Sequence, residues 1–531
     1  MSDPHPPSEI PGAHEVGAKF EISMARAAGI VSGGVFLSRV LGLVRVMVSA
    51  HFFGAGRAYD CFVIAFMIPN LLRQLLAEGA LSAAFIPIFA KYLTHKKPKE
   101  TWELASLVIN FLLIVSGGIS LLGIVLAPLV LPLVLSGFEP DALILTGQLT
   151  QLMFPFIIGI SLAALGMGIL NSYHHFTIPA FGPAISNIVV ILTLWGLAPL
   201  LGQNAIFAVG IGFLAGAFIQ VLIQLPVLLK HGFSYHPIFT LKHPDLRKII
   251  ALMGPATIGL ALTQINLIIS RYLASFLPAG SISALDYANI VVQLPVSLTG
   301  VAIGTATFPT ISRQVASDDL DKVKDTFSWG VRMIIFTSIP ATVGLIILSR
   351  PITSLLYERG NFDSSDTTAT ALALSLFSLG ILGYGLLRSI TPVFYALGDA
   401  KTPVKVGAVA TTVNVVLSII LMRPLAHGGL ALALVLSTSL NVLLLLGILR
   451  QRIDCLKEKE ILITLGKTIL ASGIMGVICY LAAASLEGRL LIKVGGAMAV
   501  SIGTFGLLSR LLSMKEAELI LRIIRKQLGM A

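Results

Sequence analysis

Between Lys99 and Lys230 the chain contains no lysine or arginine, and its only acids there are Glu100, Glu103, Glu139 and Asp141. A water-soluble fold of that length cannot solvate its surface with so few charges, so the stretch needs a solvent other than water. The rest of the 531 residues shares the bias. Of them 56% are hydrophobic and 12% charged, about half the charged share of soluble domains, and the mean hydropathy is +0.91. An ordinary cytosolic protein is excluded. Because a bilayer-crossing helix needs about 20 apolar residues, the composition points to an all-α polytopic membrane protein.

Apolar runs cut at Pro, Gly and charge clusters give spans at 25–50, 59–91, 104–135, 143–170, 178–200 and 205–229, then 248–276, 283–311, 327–356, 367–395, 403–422 and 428–449, and finally 461–484 and 490–512. That makes about 14 transmembrane helices. The distribution of basic residues supports the alternation, since Lys and Arg in short loops set orientation. With the N-terminus inside, the inner loops hold Lys91, Lys96, Lys97, Lys99, Lys230, Lys242, Arg247, Lys248, Arg313, Lys322, Lys324, Lys401, Lys405, Arg450, Arg452, Lys457 and Lys459, against Arg57, Arg350, Arg359, Arg423, Arg489 and Lys493 outside. Both termini are expected in the cytoplasm. Residues 1–24 read as a disordered tail. Residues 514–531 form an amphipathic tail that either lies on the anionic inner leaflet or ends as a solvated helix.

A shift of 224 residues superimposes Phe52 on Phe276, Ala55-Gly56 on Ala279-Gly280, Gly159 on Gly383 and Pro179 on Pro403. We read two six-helix lobes, 25–232 and 246–452, followed by two further helices at 460–513. Six spans separate the copies, so the repeat is parallel, an arrangement of secondary transporters that places the site between the bundles.

Charged groups inside spans are costly and therefore candidates for function. The first two helices carry Arg39, Arg45, Asp60, Arg73 and Glu78; the second half adds Arg271, Asp286 and Arg388. Arg39 and Arg45 are separated by about 9 Å of helix rise and about 240° of rotation. A guanidinium keeps its charge in a membrane cavity and grips phosphate oxygens in pairs, so Arg39, Arg45 and Arg73 are candidates for recognising a phosphate-bearing anion. The competing reading is structural ion pairing with Asp60 or Glu78, or snorkelling. Arg388 is expected to face the cavity, Arg271 and Asp286 to pair across an outer turn, and Arg332 to snorkel. The sequence holds no Walker loop, HExxH or GxSxG motif and no metal-spaced cluster; the cysteines Cys61, Cys455 and Cys479 form no pattern, and His174-His175 reads as a solvated loop pair. No cofactor and no nucleic-acid partner are expected.

The segment from Ser38 to Tyr92, with its PNLLRQLLAEGALSAAFIP block, resembles the first two helices of the MurJ (MviN) family of bacterial lipid II flippases, within the multidrug/oligosaccharidyl-lipid/polysaccharide exporter superfamily. The blocks MGPATIGLALTQINLIIS, LLYERGNF and FYALGDAKTPVKVG carry the resemblance into the second half. It implies fourteen helices, a V-shaped cationic cavity between two lobes, and a lipid-tail groove beside the last two helices. It carries over Arg39, Arg45, Asp60, Arg73, Glu78 and Arg388 as motif positions. One position departs: where relatives have an arginine after the Asp of a YADR motif, this chain has Asn289 and then Ile290. Arg271 on the preceding helix is the candidate substitute.

The resemblance therefore implies a lipid II flippase of the bacterial inner membrane, not an enzyme. It would move the undecaprenyl-diphosphate-linked precursor to the outer leaflet for peptidoglycan synthesis, driven by membrane potential or an ion gradient, with cell-wall synthesis proteins as candidate partners. The rivals are export of another polyprenyl-linked saccharide or of drugs on the same fold, a polytopic glycosyltransferase, and a scaffold without transport. A drug-cation exporter calls for an acidic or aromatic cavity and a glycosyltransferase for carboxylates in a large outer loop; a scaffold predicts harmless cavity mutations.

Overall fold

The structure is a computed structural model and describes residues 13–75, 81–240, 242–453, 457–486 and 488–527. Every regular element among them is helical, as lipid requires of a chain that does not close a barrel. The chain divides into two compact units, the first comprising 1–49, 64–131 and 144–264 and the second 50–63, 132–143 and 265–531.

The first unit is built on α1 (Ala13–Phe53), α2 (Arg57–Arg73), α3 (Leu81–His95), α4 (Pro98–Val134), α5 (Pro140–Met153), α6 (Phe156–Ser172), α7 (Thr177–Leu201), α8 (Phe207–Lys230) and α9 (Pro244–Ala274). Its main core joins Phe85 and Phe89 of α3, Trp102 and Leu104 of α4, Leu165 and Leu170 of α6 and Ile249 of α9.

The second unit adds α10 (Ser281–Val296), α11 (Ala302–Ala316), α12 (Leu320–Ile347), α13 (Ser349–Tyr357), α14 (Ser364–Ser378), α15 (Ile381–Ala396), α16 (Lys401–Leu425), α17 (His427–Ile453), α18 (Glu458–Ser485), α19 (Leu490–Leu511) and α20 (Lys515–Gln527). Phe327 and Ile334 of α12, Ile390 and Phe394 of α15 and Leu445 and Leu449 of α17 form its core. Helix α18 packs on both α12 and α19, so the last two spans belong to this unit.

Among the described residues eleven stretches are long and apolar enough to cross a membrane, and the bent pair α14–α15 makes twelve. Each coincides with an expected span. The other two expected spans, 59–91 and 248–276, fall on α2–α3 and on α9. The surface is apolar and the interior takes in polar side chains: Leu129 and Leu133 of α4 and Ile502 of α19 are exposed, whereas Ser106, Ser116, Thr150 and Ser378 are buried. Those hydroxyls return hydrogen bonds to their own helices, at 2.7, 2.5, 2.7 and 2.6 Å. This is the pattern of a protein solvated by lipid tails, in which polar side chains turn inward for partners.

The 224-residue repeat is visible in the element boundaries. Arg57 opens α2 as Ser281 opens α10, and Thr177 opens α7 as Lys401 opens α16. A π-helical turn includes Gln74 and Leu75 after α2, and another spans Ser297–Val301 after α10. In both copies a proline, Pro69 or Pro295, sits just before the turn and withdraws a backbone donor.

The structure differs from the sequence reading in two places. Residues 13–24, expected as tail, are helical and lengthen α1; the good helix formers Ala, Glu, Lys and Met make up half of them, and the nearest prolines precede the helix, where they do no harm. Residues 1–12 lie outside the described residues. The division between the units falls inside α9 at Gln264–Ile265 rather than in the loop before it.

Candidate functional site

In the first unit the arginines sit on α1 and α2. Arg39 is exposed, and Arg45, less than two turns on, is half-buried. The Arg45 guanidinium lies 4.6 Å from the centroid of the Phe213 ring on α8, well inside the roughly 6 Å reach of a cation–π contact. Phe213 in turn packs 4.4 Å from Phe66 of α2, and Phe66 lies 5.7 Å from Phe156 of α6. Phe213 thus forms the floor under the guanidinium, and Phe66 and Phe156 back that ring. Sequence reasoning missed this floor, because its members come from three helices and each alone reads as core.

Arg73 is seven residues beyond Phe66, hence on the same face of α2 and about 10 Å further along it. Its Nε–H donates to Asn70 Oδ1 at 2.9 Å, one turn back, which fixes the plane of the fork. Next to it the Gln264 amide of α9 donates to Gln74 Oε1 at 2.9 Å, tying the π turn to α9. Close packing brings α1 to α7: Asn187 Nδ2 donates to the Ser38 carbonyl at 3.1 Å. Glu78 lies outside the described residues.

In the second unit Asp60, 1% exposed, accepts hydrogen bonds from the backbone N–H of Gly280 and of Ser283, both at 2.7 Å, and from the Ser283 hydroxyl at 2.5 Å. It is a carboxylate cap on the N-terminus of α10, where free N–H groups and the helix dipole favour an anion. Arg57 pairs with Glu139 at 3.7 Å rather than with Asp60. Gly280 has φ 86°, and a Cβ there would run into the Ala55 carbonyl. The repeat-related turns Ala55-Gly56 and Ala279-Gly280 therefore need glycine to approach.

Two blocks that carry the family resemblance also meet here. Gly54 has φ 58°, and its missing side chain leaves room for the Asn361 carbonyl. The Asn361 N–H donates to the His51 carbonyl at 2.9 Å, and the Ala55 N–H donates to Asp366 Oδ2 at 2.8 Å. The ERGNF segment thus clasps the chain after α1.

Arg271, with a side chain 16% exposed, pairs with Asp286 at 3.5 Å across the turn between α9 and α10 and reaches the Ile282 carbonyl at 3.5 Å. Its charge is thus partly neutralised within its own unit. Ile290 is half-buried and Asn289 exposed. Arg388 of α15 is exposed, and among the described residues no side chain or carbonyl bonds its guanidinium. Behind it, Gly300 and Gly385 bring the π turn onto α15: a Cβ at Gly300 would lie 2.5 Å from Gly385 Cα.

One expectation is corrected. Arg332 does not snorkel: with 16% of its side chain exposed, it bonds Glu460 at 2.7 Å and approaches Glu516 at 3.8 Å. Burial against the last helices favours paired carboxylates over a distant interface.

An all-helical chain with repeated halves, lipid-facing apolar surfaces and intramembrane arginines is a polytopic membrane transporter. Its fold is also that of an inward-facing multidrug transporter of the MATE family in the MOP superfamily, which matches with TM-score 0.64 and 15% identity over 78% of this chain and 96% of that one. A solved structure described as lipid II flippase MurJ in an inward closed conformation matches with TM-score 0.76 and 29% identity, covering 91% of this chain and 98% of that one. The family model for lipid II flippase MurJ matches residues 49–493. The lipid II flippase MurJ of Burkholderia cenocepacia is 35% identical over 437 residues, 81% of this chain and 84% of that protein. A probable lipid II flippase MurJ of Vibrio cholerae is 36% identical over 439 residues, 80% and 83% of the two chains. The chain belongs to the MurJ family.

Proposed function

We propose that this chain is a lipid II flippase. It carries the undecaprenyl-diphosphate-linked disaccharide peptide from the inner to the outer leaflet of the bacterial cytoplasmic membrane by alternating access, with both termini in the cytoplasm. Family membership supports the substrate, and the observation that carries the mechanism is Arg45 held over Phe213 and Arg73 braced by Asn70. Both guanidiniums are positioned before any ligand arrives, so little rotamer entropy remains to be lost on binding a diphosphate.

Arg39, Arg45, Arg73 and Arg388 neutralise the diphosphate while the polyprenyl tail stays in lipid, along the groove by α18 and α19. Arg271 contributes less, because Asp286 already shares its charge. Asp60 supports the site by fixing the start of α10, and Glu78 remains the candidate counter-charge. A cationic cavity that bound too strongly would retain its cargo, so a few arginines balanced by acids suit release. Lacking a nucleotide motif, transport draws on the membrane potential or an ion gradient. Complementation of a flippase-depleted bacterium tests the reading: Arg39→Ala with Arg73→Ala should abolish rescue at equal protein level, and normal growth would contradict it.

A further inference from the structure

The last span ends in a sharp corner. Helix α19 stops at Leu511, the chain turns through Ser513 at φ 50°, and α20 starts at Lys515. The first turn of α20 is anchored: Met514 and Ala517 are buried against Phe336, with Phe505 and Leu512 packed alongside. Glu516, 6% exposed, accepts a hydrogen bond from Thr464 at 3.2 Å and faces Arg332. With its start fixed, α20 presents Glu518, Arg522 and Arg525 at helical spacing along one face.

That face and the end of α19 border an open hollow of about 390 Å³ lined by Arg510, Ser513, Met514, Glu518, Arg522 and Arg525, within the range of about 300–1,000 Å³ usual for small-ligand sites. Three guanidiniums thus border one concave space. Among the described residues none of them is ion-paired, Glu518 included, or otherwise hydrogen-bonded through its side chain. Three guanidiniums against the one carboxylate of Glu518 leave the space net positive, and a shared polyanion relieves the repulsion among them while matching the forked geometry.

The location selects the anion. Leu507 and Leu511, one and no turns away from Arg510 on α19, are 61% and 71% exposed, so an acyl-chain surface runs directly into the arginines. We propose that the α19–α20 corner binds the phosphate headgroup of an acidic phospholipid from the leaflet on the side of the basic loops, its acyl chains lying along Leu507 and Leu511. None of these residues belongs to the arginine set assigned to cargo, so the proposal stands apart from the flippase reading.

The test uses the full chain in nanodiscs of equimolar phosphatidylglycerol and phosphatidylcholine, with retained lipid counted by native mass spectrometry. The wild type should keep at least one phosphatidylglycerol that the triple variant R510Q/R522Q/R525Q loses, with affinity falling about fivefold per guanidinium removed. R522K/R525K, which keeps the charge, should retain it, and E518Q should hold it at least as well. Equal phosphatidylglycerol retention by wild type and triple variant would overturn the proposal. So would millimolar inorganic phosphate displacing the retained phosphatidylglycerol from the wild type in the equimolar nanodiscs, which would mark a site for free phosphate. Unfolding temperatures of the variants, expected to match the wild type because the three side chains are exposed, separate loss of the site from loss of α20.

Discussion

Asp60 accepts two hydrogen bonds from Ser283, one from its backbone N–H at 2.7 Å and one from its hydroxyl at 2.5 Å. A single carboxylate near the start of α2 therefore sets the position at which α10 begins. Asp60→Ala would strip the acceptor from two N–H groups and a hydroxyl at once, and should lower stability by about 2–3 kcal/mol. Ser283→Ala removes only the hydroxyl and should cost about 1 kcal/mol. Thermal unfolding of the two single variants and the double variant should show strong non-additivity, because the residues share one network.

Arg332 holds Glu460 and the buried Glu516 together. Replacing it with Met leaves the buried Glu516 carboxylate without its cation, at a cost of about 3 kcal/mol. The unfolding temperature of Arg332→Met in detergent should fall clearly below that of the wild type, and Arg332→Met combined with Glu516→Gln should recover part of the loss.

The Tyr92 hydroxyl donates to Asp245 Oδ2 at 2.7 Å. That bond, and then the one from Lys248, hold the Asp245 carboxyl below its ordinary 3.8. Folding favours the ionised form, so the contribution is present above pH 3.8 and is lost as pH falls through the lower folded-state value. Burial first, and then Asp245, push Tyr92 up to about 12; the neutral phenol is favoured, and its share is lost as pH rises through that value. Tyr92→Phe should cost about 1 kcal/mol at neutral pH, the partly exposed setting screening the bond. Denaturation midpoints across pH should show the gap between variant and wild type closing in strong acid.

Gly300 and Gly385 let the π turn touch α15, the helix that carries Arg388. Gly300→Val forces the two backbones apart and should destabilise by about 1–3 kcal/mol. A thermal melt checks this, and Gly407→Val, where no atom lies within 4 Å of an added Cβ, serves as the comparison.

Much of this was legible before any coordinates, and for a physical reason. Lipid leaves a chain few options, so the apolar runs predicted every long span, and the repeat offset reappears in the starts of α2 and α10. The Arg271–Asp286 pair was foreseeable because the two residues flank one turn. Arg332 was misread because its partners, Glu460 and Glu516, are far along the chain. The role of Asp60 was hidden because its partners are mostly backbone N–H groups, which every sequence contains. The ring of Phe213 under Arg45 depends on how helices rotate about their own axes, and side-chain periodicity does not fix that rotation between neighbours.

The central claim is that guanidiniums on α1 and α2 carry the head of lipid II across the membrane. The direct measurement is the fraction of lipid II exposed on the outer leaflet of cells that depend on this chain, read with an impermeant lipid II-cleaving enzyme added outside. With Arg39 and Arg73 both changed to Ala at wild-type protein level, the exposed fraction should fall to that of cells lacking a flippase. An exposed fraction equal to that of the wild type would contradict the account.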